Sequence, residues 1–228
     1  DYETLDKLVS LIQQEANFEM SLIEGPIELE ALIKEMDIIN GNDSLSKQLV
    51  PKLTNEGYLI GYSISNSQIE NFKQSIKKEN IQDLLYKYHY NIGFDRELLD
   101  DTKQLIEVYL LRYEYNVATG KYSPPISGGD IVSAAHGTGG AGTPEYLKPI
   151  VTLELTRNAS LDFGSFTGSH KGDRLAIVLD NIVYMAPGIN ERIDGGKIQI
   201  TGCENIAEAQ DIASILQAGK LSTPMGVA

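Results

Sequence analysis

Two aliphatic runs set two residues apart constrain this chain more than any other feature. Arg174 to Leu179 and Ile182 to Met185 flank Asp180-Asn181, a pair that tolerates the positive φ of a tight turn, so the segment reads as an antiparallel hairpin. Other strand periods surround it. Phe18, Met20 and Leu22 alternate with Asn17, Glu19 and Ser21, and Val151, Leu153 and Leu155 alternate with Thr152, Glu154 and Thr156. Leu105 to Tyr113 carries apolar residues on both sides of a long strand, and Ile198 with Ile200 marks a short one. Helical spacing appears at Leu5, Leu8, Val9 and Ile12, and again at Ile206, Ala209, Ile212, Ala213 and Leu216, which Gly219 closes. A glycine-weakened helix is expected over Leu161 to Gly168. Together these predict an α+β fold in which a mixed or antiparallel sheet packs against helices.

Between these parts the character changes. Pro26 suits a first helical turn, and Leu29, Leu32, Ile33 and Met36 share one face of a helix ending near Asn40-Gly41. Further helical patterns run over Ser44 to Leu53, Gln68 to Lys78 and Ile81 to Tyr88, so 26–104 is expected to be a mostly helical insertion into a core made of 1–25 and 105–228. The stretch from Gly128 to Gly142 holds six glycines and is expected to be a mobile loop. Tyr58, Tyr62, Tyr86, Tyr88 and Tyr90 cluster in the inserted region, where amphipathic rings suit either a protein-binding surface or the edge of a small core.

Charge and composition exclude several roles. The chain has 228 residues and a formal charge of −13, which disfavours nucleic acid, since that binding depends on clustered Lys and Arg. The same field repels anionic headgroups and favours basic segments of a partner. The single Cys203, expected to be small and semi-buried, can form no internal disulfide. No run approaches the roughly 20 apolar residues that span a bilayer, and no signal peptide precedes Asp1, so the chain is expected to be an excised piece of a longer protein.

The search for chemistry finds no assembled site. None of His89, His136 and His170 stands in a hydrolase context. His136 lies in Ala135-His136-Gly137-Thr138-Gly139-Gly140, which lacks the Lys-Ser/Thr ending of a phosphate loop, and the glycine spacing there fails the dinucleotide fingerprint. Asp95, Glu97, Asp100 and Asp101 read as a solvated helix start rather than a metal site, and Asp43 lacks the ligand spacing of a calcium loop. No enzyme activity, metal or cofactor is expected.

The last third carries a denser signature. Lys171-Gly172-Asp173-Arg174-Leu175-Ala176-Ile177-Val178-Leu179-Asp180, then Ala186-Pro187, Ile193 with Gly195-Gly196, Ile200-Thr201-Gly202, Glu208-Ala209 and Ala218-Gly219-Lys220-Leu221 resemble the first periplasmic domain of the SecD family. Ile126-Ser127-Gly128-Gly129-Asp130-Ile131, Ala134-Ala135 and Val151 to Leu155 extend the resemblance upstream, and the opening helix and Phe18-Glu19-Met20 are similar more weakly. Asn181 departs from it, since the family usually has glycine at that turn, and so does the glycine-rich Gly137 to Gly142 stretch.

The resemblance implies the head part of that domain, on the periplasmic face of the bacterial inner membrane. It implies work with SecF and SecYEG, binding of unfolded preprotein, and a membrane reached only through transmembrane segments outside this fragment. The two ends are expected to lie close together on a missing base. Ile182, Tyr184 and Met185 are candidate preprotein contacts, and Gly219, Leu221 and Pro224 a candidate hinge to the base. Alternatives are the soluble domain of another RND-superfamily transporter, or a cell-envelope enzyme built around His136.

Overall fold

The structure is a computed structural model that describes residues 17–41, 44–96, 102–116 and 120–219. The fold is α+β. The chain divides into two compact units, one of Ser21–Pro124 with Asp173–Pro187, the other of Asp1–Met20, Pro125–Gly172 and Gly188–Ala228. This division differs from the sequence-based one. It joins the long strand and the hairpin to the inserted region instead of leaving them with the rest of the C-terminal part.

The first, the hairpin unit, is organised around β5 (Leu105–Arg112). One edge of β5 pairs antiparallel with β4 (Tyr90–Asp95), from Tyr90↔Arg112 to Phe94↔Val108. Its other edge is shared end to end. β3 (Leu59–Ser65) takes Leu105 to Val108, and the end of β1 (Phe18–Ile23) takes Leu111 and Arg112. The hairpin strands β11 (Leu175–Leu179) and β12 (Ile182–Met185) bridge the gap, β12 running parallel to β4 and β11 beside β1. Strands β5, β4, β12, β11 and β1 therefore close on themselves. Tyr109, Leu111, Ala176, Val178 and Val183 fill the interior. Gly93 is needed there, because a Cβ at that position would stand 2.9 Å from Val183 and 3.0 Å from Leu111.

The opposite side of β5 presents Ile106, Val108 and Leu110 to three helices, α1 (Pro26–Asn40), α2 (Ile69–Ile76) and α3 (Glu79–Tyr88). Phe72 of α2 meets Phe94 edge-on at 6.2 Å in that core. At the turn, Asp180 and Asn181 both take positive φ, 50° and 65°, as a tight hairpin requires.

The inserted region is not mostly helical: it holds β2 (Leu49–Leu53), β3 and β4 as well as the three helices. The expected helix over 44–53 is replaced by a 3₁₀ turn at Ser46–Gln48 that leads into β2. Pro51 has no N–H for a helix and biases Val50 toward extended backbone. Asp37 completes the turn by accepting hydrogen bonds from the Leu45 and Ser46 backbone and both Ser44 and Ser46 hydroxyls.

In the second, three-strand unit, β10 (Pro149–Leu155) runs between β9 (Ile131–Thr138) and β13 (Lys197–Ile200), both antiparallel to it. Val151, Leu153 and Leu155 are buried, with α5 (Ile206–Gly219) packed on β9 and β10, while Thr152 and Glu154 stay exposed. Earlier in this unit the two-residue β8 (Ile126–Ser127) pairs with Glu19 and Met20. Most of the expected mobile loop is thus ordered: Ser127 and Asp130 close a capping box over 128–130, and 131–138 is strand. Pairing with β10 in continuous register from Thr138↔Pro149 to Glu154↔Ser133 overrides the freedom that glycine confers.

The glycine-weakened helix is α4 (Arg157–Ser169), started by Thr156, whose hydroxyl accepts from Ala159 N. Gly164 lets the 192–194 segment lie directly on the helix, since a Cβ there would meet Asp194 Oδ1 at 2.8 Å. Thr167 secures that contact by accepting from Ile193 N at 2.9 Å. Cys203 is buried. The expected opening helix over residues 5–12 lies outside the described residues.

Candidate functional site

Strand alternation sorts the three candidate contact residues of β12. Val183 points into the closed interior and Ile182 faces the other way, whereas the register shift that pairs Ile177 with Met185 leaves Tyr184 as an extra residue and breaks the alternation at Tyr184 and Met185. All three are half-buried. The turn beneath them is tied to the neighbouring strand: Asn181 O accepts from Phe94 N, and Asn181 Oδ1 accepts from Asn91 Nδ2 at 2.8 Å. Of the candidate hinge, Gly219 is the last residue of α5, while Leu221 and Pro224 lie outside the described residues.

A cleft of about 190 Å³ opens in the hairpin unit where β3 and β1 part from their shared partner β5. The floor is Val108 to Leu110, and Ile23, Ile60, Glu24 and Arg174 form its sides. Arg174 anchors the cleft wall, its Nε donating to Ala186 O and its guanidinium lying 6.0 Å from the Tyr109 ring centre. Tyr109 donates to Asp95 Oδ2 at 3.1 Å; burial first, then the Glu107 and Asp95 charges, push its phenol far above the ordinary tyrosine value. Beside it Arg112 bridges Glu24 at 2.5 Å and Glu114 at 2.9 Å. Partial burial works against the Arg112 charge, but the two carboxylates outweigh it and hold the guanidinium protonated. Glu107 is likewise engaged, by Lys52. A space this small admits one side chain.

Two of the histidines pack against aromatic rings. His89 stacks on Tyr122 with ring centres 3.2 Å apart, and His170 tilts against Phe166 at 4.7 Å. His136 sits on β9 opposite Val151 rather than in a glycine loop. Among the described residues no group of three or more His, Cys, Asp or Glu is placed to hold a metal. Of the acidic run expected to start a helix, Asp95 instead ends β4, and 97–101 lie outside the described residues.

The tyrosines split. Tyr62 and Tyr90 pack against the helix-covered core, whereas Tyr58, Tyr86 and Tyr88 are exposed. Sequence reasoning did not find the cleft. Its lining comes from the end of β1 and the start of α1, from β3 and β5, and from Arg174, segments far apart in sequence that no local pattern connects.

These features define an α+β domain in which Glu24, Glu107 and Glu114 are ion-paired and His89 and His170 pack against aromatic rings. The sequence profile of SecDF, P1 head subdomain, matches residues 107–223, just over half of the chain, and the chain belongs to that family. Among its relatives is protein translocase subunit SecD of Rhodothermus marinus, 39% identical over 83 residues, which cover 36% of this chain and 13% of that protein. SecD of Aquifex aeolicus is 42% identical over 104 residues, 45% of this chain and 19% of that one. SecDF of Thermus thermophilus is 37% identical over 105 residues, 46% of this chain and 14% of that one. In these matches the chain spans less than a fifth of each relative's length. No helix among the described residues is long and apolar enough to cross a membrane.

Proposed function

We propose that this chain is the head of the first extracytoplasmic domain of a Sec translocase accessory subunit, standing on the outer face of the bacterial inner membrane. In this reading it binds segments of emerging, unfolded preprotein weakly and moves relative to a base outside the fragment, while SecF and SecYEG supply the channel and the proton-driven work. The observation that carries the reading is the family match over 107–223, with relatives named as protein translocase subunits. In this reading 26–104 is an insertion into a head made of 1–25 and 105–228; the match, which starts at Glu107, leaves 26–104 outside it.

Such a head needs accessible apolar side chains and no reacting group, because a device that pulls must also release. Ile182, Tyr184 and Met185 are the proposed contacts; all three are half-buried on a strand held between β11 and β4. Gly219, Leu221 and Pro224 are the proposed return to the base. In the full-length parent, a photoreactive amino acid at Tyr184 is expected to crosslink a preprotein stalled in transit. Absence of any adduct removes this contact surface. Export that continues at the normal rate after 221–224 is covalently locked to the base contradicts the hinge.

A further inference from the structure

The sheet edges differ in how they are guarded. Pro51 and Lys52 lie in edge strand β2, β8 has two residues, and edge strand β13 has four and carries Lys197. Proline, lysine and shortness are the usual devices that keep an edge from pairing with another chain. Edge strand β9 has none of them. Its eight residues, Ile-Val-Ser-Ala-Ala-His-Gly-Thr, contain no proline, lysine or carboxylate. Its one irregularity, opposite the Glu154/Leu155 step, lies at the strand's start and leaves Ser133 to Thr138 regular over about 20 Å. Ala135, His136 and Thr138 are exposed.

The direction of the open groups is fixed by one contact. Ala134 N donates to the side-chain Oε1 of Gln217 at 3.0 Å, so Ala134 turns its N–H away from β10. In an antiparallel ladder the groups alternate, so His136 turns its N–H and C=O outward as well. Gln217, on α5, thus holds an amide oxygen where the carbonyl of an added strand would stand.

We propose that the β9 edge of the three-strand unit is a strand-addition site for an extended polypeptide segment, neutral or basic, with Gln217 as its displaceable plug. Only a polypeptide backbone offers alternating donors and acceptors at the spacing this edge presents. The formal charge of −13 sets two copies of the chain against each other and favours an uncharged or cationic guest. Backbone pairing ignores side-chain identity, which suits a chain that meets many sequences. The inference rests on the polypeptide-binding reading above and gives it a second, sequence-independent contact.

The test uses the whole 228-residue chain, ¹⁵N-labelled, and a synthetic decapeptide of alternating Val and Thr with Lys at each end. Addition of peptide is expected to shift the amide signals of Ala134 and His136 and to slow their hydrogen exchange. His136→Pro, which removes an outward donor, is expected to weaken binding about tenfold. Gln217→Ala, which removes the competing acceptor, is expected to tighten it about threefold, the opposite of what loss of a merely structural bond would do. Peptide that binds while the β9 amides stay unchanged overturns the edge site and leaves the polypeptide-binding reading intact. No binding at all overturns the edge site, and the Tyr184 crosslink then judges the broader reading by itself. Self-association of the chain abolished by His136→Pro would put a second copy on the edge and also overturn the proposal.

Discussion

The central strands of the two units, β5 and β10, are built from similar residues but used in different ways. β5 is buried on both faces, with Ile106, Val108 and Leu110 beneath helices and Tyr109 and Leu111 inside a closed ring of strands. From Val151 to Leu155 β10 is buried on one, with Val151, Leu153 and Leu155 inward and Thr152 and Glu154 in solvent. Their sequences record this: Leu-Ile-Glu-Val-Tyr-Leu-Leu-Arg is nearly continuous in apolar residues, and Val-Thr-Leu-Glu-Leu alternates. A strand covered twice serves as a rigid post. One covered once leaves a face, and at β9 an edge, open to other molecules.

The largest effect that sharpens this contrast comes from truncating both faces of β5. Leu110→Ala and Leu111→Ala are each expected to cost about 2–5 kcal/mol in denaturant unfolding, as is Leu153→Ala in β10. Thr152→Ala, on the open face of β10, is expected to stay within about 0.5 kcal/mol. If the Leu111 and Thr152 replacements cost alike, the one-face and two-face distinction fails.

Next is the interior of the ring. Gly93→Ala places a methyl against Val183 and Leu111 and is expected to destabilise by about 1–3 kcal/mol, read from the shift in denaturant midpoint. Alkali probes the same interior. The Tyr109 phenol is raised above its unfolded value near 10, so its contribution to stability is complete below about pH 10 and is lost as pH rises beyond it. Unfolding free energy is expected to fall above pH 10 by about 1.4 kcal/mol per pH unit for this group. Tyr109→Phe is expected to flatten that slope, and an unchanged slope would contradict the burial of Tyr109. The cap of α4 contributes less than these interior positions: Thr156→Ala is expected to cost about 1 kcal/mol in thermal unfolding, with no change in the alkaline slope.

Local periodicity made much of this fold legible. The hairpin with its Asp180-Asn181 turn, the strands at 18–23, 105–112, 149–155 and 197–200, and the helix closed by Gly219 all follow from patterns of two or three to four residues. The expected helix around Leu161 to Gly168 also forms, and its glycines have a positive role in admitting the 192–194 segment. The strands within 26–104 left a signal that was outweighed by neighbouring helices. Tyr90, Ile92 and Phe94 alternate with Asn91, Gly93 and Asp95, and Tyr62 and Ile64 with Ser63 and Ser65. At 44–53 apolar spacing pointed to helix, and Pro51 with the Asp37 carboxylate decided otherwise. At 131–138 the glycine and alanine content hid a strand whose conformation comes from β10.

The candidate contacts were legible only as a hairpin, and which side each residue faces depends on where β4 and β11 lie. The cleft and the β9 edge are products of topology, assembled from segments that share no local pattern.

The claim on which the rest depends is that this domain holds unfolded polypeptide. It is tested most directly by titrating the 228-residue chain, at physiological salt, with the basic protein ribonuclease A in two forms: reduced and carboxamidomethylated, or native with its disulfides intact. Weak, saturable binding of the unfolded form alone is expected. Equal binding of both forms, or of neither, would contradict it.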